Sequence, residues 1–224
     1  MLTRLRIRLP DRPGALGRAT AALGTVGIDI HQVQALERAS GRAIVDLVVA
    51  LPAAMLPGAV ARILAEIPGV RVEGSWQTSD SLDLDTDLEV LAETIANPRR
   101  ALHALVDAAP KLLHAHWAAA LTAPGGEIVH ASWRTPKIGS VELHTPRARA
   151  LTAPDGSRLA IAPLGPDHVI VVGRRNAPPF HPTELRKLAT LADATAGVLT
   201  GREQPAPEQR RRPDLTLVGQ PRTR

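Results

Sequence analysis

The chain opens on a strict alternation, in which Leu5, Ile7 and Leu9 are apolar and Arg4, Arg6 and Arg8 are basic. A period of two predicts a strand over residues 2–9 with one buried and one polar face. Leu16, Ala19, Thr20, Leu23 and Val26 then recur at helical spacing. Residues 28–37 predict a second strand, in which Ile28 and Ile30 share a face with Gln32 and Gln34 while Val33 lies opposite. A bulge or bend near His31 would repair that phase. After the turn Ala39-Ser40-Gly41, residues 42–50 predict a third strand, with Ala43, Val45, Leu47 and Val49 on one face and Ile44, Asp46 and Val48 on the other. A second helix carries Leu56, Val60, Ile63, Leu64 and Ile67 and stops at Pro68-Gly69. Residues 70–76 predict a fourth strand, with Val70, Val72 and Trp76 on one face.

The order β-α-β-β-α-β is the ferredoxin-like motif, with two helices on one face of a four-stranded sheet. Beyond it, residues 77–97 hold six acidic residues and no Lys or Arg. This stretch reads as an acidic linker, polar through Ser81. A connecting helix follows, whose Leu88, Leu91 and Ile95 share a face that packs on the second domain or pairs with a second copy. Asn97-Pro98 predicts a capped helix start. The stripe Leu102, Leu105, Val106 and Leu113 follows, with Pro110 bending or shortening the helix. Strands over residues 117–122 and 127–133 flank Pro124-Gly125-Gly126, a hairpin signal. Residues 134–158 are poor in periodicity, with one short strand expected around Val141 to Leu143. Strands over 159–164 and 168–174 flank Gly165-Pro166-Asp167. A helix opened by Phe180-His181-Pro182-Thr183-Glu184-Leu185 carries Leu188, Leu191 and Val198. The expected class is α+β: a ferredoxin-like domain joined to an α/β domain with a central antiparallel sheet.

Charge changes little in this picture. The 224 residues carry a formal +5, but the tail over residues 202–224 holds six Arg against three acidic residues, or +3 of it. The tail, mixed in Pro, Gln, Glu and Arg, is expected to be disordered. RNA-binding sheets stack bases on exposed aromatics; here the polar face of the first strand offers Arg4, Arg6 and Arg8, which are either solvated or buried against a second domain. Nucleic acid is therefore not the expected partner. There is no cysteine, which removes disulfides and thiolate chemistry. His114 and His116, with His130 or His144, do not reach the three or four ligands of a zinc site. No phosphate loop, nucleophile elbow or carboxylate pair appears outside the acidic linker. The expectation is a non-enzyme without metal or cofactor. With no apolar signal core and no run of membrane length, it is expected in the cytoplasm.

The stretch between the first strand and helix, Asp11-Arg12-Pro13-Gly14-Ala15-Leu16, places Pro13 at the first helical position and leaves first-turn N–H groups uncovered at Gly14. Such residues also make a plain helix start with no ligand. Followed by a helix and Val26-Gly27-Ile28-Asp29-Ile30, they resemble the opening of an ACT domain, and the resemblance covers residues 1–76. It implies that two such domains pair and hold a small ligand, commonly an amino acid. The matching positions are Arg12, Pro13, Gly14, Ala15 and Leu16 on the turn and Ile28, Asp29, Ile30 and His31 on the strand. Residues 98–201 resemble a short GAF domain, a small-molecule-sensing module, through Trp117-Ala118-Ala119-Ala120-Leu121 and the closing Val171-Val172-Gly173-Arg174-Arg175 with its helix. Together the two resemblances imply a regulatory homodimer that senses an amino acid and acts through an unidentified protein partner. A ligand-free adaptor and a nucleic-acid-binding regulator are the competing readings.

Overall fold

The computed structural model describes residues 2–53, 55–78, 86–138 and 145–201. The expected strand over residues 141–143, His144, residues 79–85 of the acidic linker and the tail over 202–224 lie outside them.

In the first half, β1 (Leu2–Pro10), α1 (Ala15–Thr25), β2 (Asp29–Ala39), β3 (Arg42–Ala50), α2 (Pro57–Ala65) and β4 (Arg71–Gln77) follow the β-α-β-β-α-β order. The strands form one antiparallel sheet, β2-β3-β1-β4. Leu5, Ile7, Val45, Leu47 and Val49 face Ala19, Leu23, Val60 and Leu64 of the helices in one apolar core. The β2–β3 register shifts between Ile30 and Gln32, so the irregularity falls at His31.

Three details depart from the sequence pattern. Pro13 precedes the helix, because Gly14 is its cap in a left-handed conformation (φ 78°) and the first helical residue is Ala15. Leu56 caps α2 and is largely exposed, outside the buried stripe. Trp76 does not share a face with Val72. The β1–β4 register jumps from Arg6 opposite Gly74 to Ile7 opposite Val72, so Glu73 is an extra residue. One inserted residue reverses the faces of everything beyond it, and Trp76 is thereby moved to the face that carries Arg4 and Arg6.

The second half begins with α3 (Thr86–Ala96), a 3₁₀ turn (Pro98–Arg100) and α4 (Ala101–Leu112), then β5 (Trp117–Thr122), β6 (Ile128–Ala131), β7 (Arg149–Thr152), β8 (Arg158–Pro163), β9 (His168–Arg174) and α5 (Pro182–Thr200). The five strands form an antiparallel sheet, β6-β5-β9-β8-β7. The fold is thus α+β, with two antiparallel sheets. Ala118, Ala120, Ile170 and Val172 face α4 and α5, while Trp117, Leu121, Ile161 and Val171 form a separate core on the other face, against Ile138 and Leu151. Burial on both faces explains why β5 and β9 are continuous apolar runs. Trp117 lies so close over Gly173 that a Cβ there would sit 2.2 Å from the ring. The Asn97 side chain makes no capping bond, and α4 runs through Pro110 to Leu112. In α3 the inward residues are Val90, Leu91 and Thr94, whereas Leu88 and Ile95 are exposed. β7 appears where periodicity is weak, as an edge strand paired to β8 alone.

The polar face of the first sheet is closed by the second half. Arg4 and Arg6 are buried with Asp46. Arg6 donates to both oxygens of Asp46 at 2.8 and 2.9 Å and to Glu184 Oε2 at 3.1 Å. Arg174, from β9, donates to Glu184 Oε1 at 2.8 Å and Oε2 at 3.2 Å. Trp76 lies beneath both guanidinium groups, 5.5 Å from Arg6 Cζ and 5.0 Å from Arg174 Cζ, and its Nε1–H donates to the His114 carbonyl. Gly74 lets the 178–179 segment approach, since a Cβ there would meet Pro178 at 2.7 Å. Burial by itself would push Glu184 up. The charges and hydrogen bonds of Arg174 and Arg6 outweigh it and hold the carboxyl at about 2.

Because that folded value lies below the ordinary 4.5, the stabilisation is complete above pH 4.5 and is lost as pH falls through the folded value. Glu184→Gln is expected to cost about 3 kcal/mol at pH 7 by leaving the buried Arg174 without its carboxylate and Arg6 with the Asp46 carboxylate alone. Its urea-melt stability is also expected to fall less steeply than the parent's between pH 4.5 and 2. A variant whose acid limb parallels the parent's would show that Glu184 does not carry this linkage.

Candidate functional site

The turn after β1 is built by its neighbours. The Asp11 N–H donates to Gly41 O at 2.9 Å, and Arg38 donates to Asp11 Oδ1 through Nε at 3.0 Å and Nη2 at 2.8 Å. The hairpin between β2 and β3 therefore fixes where α1 begins. Gly14 takes its left-handed backbone without steric cost. No side chain caps α1; the Ala15 N–H is used by Arg12 O, and the first intrahelical bond is Arg18 N–H to Gly14 O at 3.0 Å. The N–H groups of Leu16 and Gly17 precede that bond, at the positive end of the helix dipole. Arg12, Pro13 and Gly14 are exposed, Leu16 is half-buried and Ala15 is buried in the core.

The strand residues lie elsewhere. Ile28 is buried, Asp29 and His31 are exposed, and Ile30 is half-buried against the core. His31 Nε2 stands 3.6 Å from Asp29 Oδ2. Asp29 pairs with Ala50, which pairs with Leu2, whereas Pro10, just before the turn, pairs with Arg42. The two halves of the expected site therefore sit at opposite ends of the sheet, ~26 Å apart at ~3.3 Å per strand residue. A single copy brings Arg12, Pro13, Gly14, Ala15 and Leu16 together, and separately Ile28, Asp29, Ile30 and His31, but not one group with the other.

β2 is the edge of its sheet, and its two ends have different surroundings. The end nearest the turn is gripped by α5, where Thr183 Oγ1 donates to Leu36 O at 3.1 Å and His181 Nε2 lies 2.9 Å from Glu37 Oε2. His181 Nδ1 accepts the Thr183 N–H at 3.2 Å, so the ring proton is on Nε2 and is donated to Glu37. The Glu184 carboxylate accepts the His181 N–H in return, completing a capping box. Toward the other end, Asp29, His31, Val33 and Ala35 are exposed. These contacts are not legible in the sequence. His181 followed three residues later by Glu184 was a legible helix start, but nothing local points from it to Glu37. Of the sheet face weighed for RNA, Arg4 and Arg6 are buried in the seam, which takes them from that surface; the tail, the other element the nucleic-acid reading could use, lies outside the described residues. Among the described residues no group of three His, Asp or Glu could hold a metal ion, and no helix is long and apolar enough to cross a membrane.

No family model matches the chain, and no curated protein matches it. Among solved structures it is similar to the regulatory subunit of aspartate kinase from Thermus thermophilus, at 12% identity over 84% of this chain and 89% of that one, with a TM-score of 0.29. It is similar to a protein of unknown function from Galdieria sulphuraria, at 14% identity over 89% and 93%, TM-score 0.31. It is also similar to a formyltetrahydrofolate deformylase from Pseudomonas putida KT2440, at 14% identity and TM-score 0.29, covering 44% of this chain and 38% of the deformylase. Likeness of this degree carries no argument about what the protein does.

Proposed function

We propose that this is a non-catalytic regulatory protein that binds an α-amino acid between two copies of its first half and signals through protein contacts. In this reading residues 1–76 are an ACT-like unit, 77–97 an acidic connector, 98–201 a GAF-like unit and 202–224 a basic tail. The supporting observation is the register of β2. Two β2 edges paired antiparallel about their midpoint, around the Leu36 carbonyl and Glu37 side chain that α5 engages, would set Asp29 of one copy level with Ala39 of the other. Ala39 adjoins Arg38, which holds Asp11 of the turn. Pairing of that kind joins the two half-sites that a single copy keeps apart. The ligand carboxylate meets the N–H groups of Leu16 and Gly17, where the helix dipole favours an anion. Its amino group meets Asp29 of the second copy, and its side chain lies near His31.

Unpaired edge strands invite pairing, and Val33 stands half-exposed on this one. Light scattering of the full chain is expected to give a dimer. Val33→Lys, which sets like charges near the two-fold axis, is expected to halve the mass while preserving the fold. A parent that is monomeric at high concentration would count against this site.

A thermal-shift screen of the standard amino acids, followed by calorimetry on the best hit, tests the ligand. Gly14→Asn keeps a residue that tolerates the left-handed backbone while covering the N–H groups, and is expected to weaken binding about tenfold or more, which is at least ~1.4 kcal/mol. Asp29→Ala is expected to weaken it similarly with no change in melting temperature, because Asp29 is exposed. If the parent dimerises but no amino acid shifts its melting, the ligand-free adaptor is the better reading.

A further inference from the structure

A second place in the molecule has the character of a binding site, and none of the residues discussed above for the amino acid belongs to it. Where the end of β4 meets the second half, a cleft of about 670 Å³ opens between Gln77 and Thr78 on one side and α4, the loop into β5 and the turn after β6 on the other. Lys111 and Arg134 stand exposed on its walls, and His116 lines its inner part. The acid on the same wall, Asp107, is 2.9 Å from His130 Nε2, and His130 packs on His103 with ring centroids 4.4 Å apart. At the rim stands Trp133, 96% exposed, whereas Trp76 and Trp117 are buried.

Trp133 is not on a loose loop. The Ser132 N–H donates to Ala118 O at 2.9 Å, Ser132 Oγ accepts the Ala118 N–H at 2.8 Å, and Thr135 Oγ1 donates to Ala118 O at 2.9 Å. The turn is thus pinned to a central strand of the second sheet, and the ring is held out in water on a fixed base. His114, in the loop behind, has a left-handed backbone at φ 50°, an uncommon conformation for a residue with a side chain. The Arg175 N–H donates to His116 Nδ1 at 3.0 Å, which leaves the neutral ring's proton on Nε2 as a donor. Burial lowers the pKa of His116, and the positive charges of Arg134, Arg174 and Arg175 lower it further. The charged residues that line the cleft are Asp107, Lys111 and Arg134, a net +1 among the described residues, and the His116 Nε2–H is a further donor beside a rigid aromatic face at the mouth.

We propose that this cleft binds a small anion that carries a flat ring. The ring stacks on Trp133, and the carboxylate or phosphate lies between Lys111 and Arg134. Anion and ring are both required: cations alone on a surface hold small anions weakly, and an exposed aromatic face supplies the stacking energy and orientation that charge does not.

Calorimetry on the full chain with two matched pairs of probes tests this: nicotinate against nicotinamide, and AMP against adenosine. At least one anion is expected to bind with Kd below about 1 mM and about tenfold or more tighter than its neutral counterpart. Binding of nicotinate alone identifies a carboxylate ligand, and of AMP alone a phosphate. Trp133→Ala and Arg134→Gln, both at exposed positions, are each expected to weaken that binding about tenfold with unchanged melting temperature. They should also leave any amino-acid binding as in the parent. The proposal is overturned if neither anion binds in that range, if a neutral counterpart binds as well as its anion, or if both variants bind like the parent.

Discussion

The structure depends on a knot of charge placed where two sheets meet. Arg6 is held between Asp46 of its own sheet and Glu184 of the closing helix, and Glu184 is shared with Arg174 of the second sheet. Taking such groups out of water costs several kcal/mol per ion, so the pairs return little net stability. Their influence is on geometry. Sliding or rotating one half against the other would leave buried guanidinium and carboxylate groups without partners, which is far more costly than the correct docking. Aromatic faces complete the arrangement: Arg174 Cζ lies 4.0 Å from the Phe180 ring and 5.0 Å from the Trp76 ring, in a chain with one Phe and three Trp.

The knot also decides what β2 is free to do. α5 begins at the seam because Glu184 must reach Arg6 and Arg174, and the same first turn carries His181 and Thr183 onto Glu37 and Leu36. The half of β2 nearest the turn is tied to the second half of the chain, while the half that begins at Asp29 keeps its open edge. The second shift in the β2–β3 register falls between Ala35 and Glu37, where the two regimes meet.

Close contact at the centre of the seam leaves space at its margin. Gly74 against Pro178 and Trp76 against the His114 carbonyl bring the halves together, and beyond them the surfaces diverge into the cleft lined by Lys111, His116 and Arg134. The basic character of that margin follows from the centre. Arg174 is drawn inward to Glu184, and its neighbour Arg175 points the other way, toward Asp155 at 3.3 Å; burial first, and then the charges of Arg134, Arg174 and Arg175, lower the pKa of His116 between them.

The sequence by itself determined what is periodic. Alternation in residues 2–9 and 42–50, the stripe of α1 and the Pro-Gly and Gly-Pro turns specify local dihedrals and one buried face, and each needs only a few neighbouring residues to be read. The turn over residues 11–16 was legible for the same reason, apart from the two-residue shift that Gly14 imposes. Tertiary structure decided where the faces point and what they meet. The extra residue at Glu73 turns Trp76 from the helices to the seam; Gly74 beside it is a local sign of a bulge or a close approach, but it does not say which way the strand turns. The inward side of α3 is Val90 and Thr94 rather than Leu88 and Ile95, because helix packing rewards fit against α4 and α5 and not hydrophobicity alone. Arg6 and Glu184 meet across 178 positions. Charge at either site is ordinary in sequence, and it becomes a constraint only once docking removes the water from both.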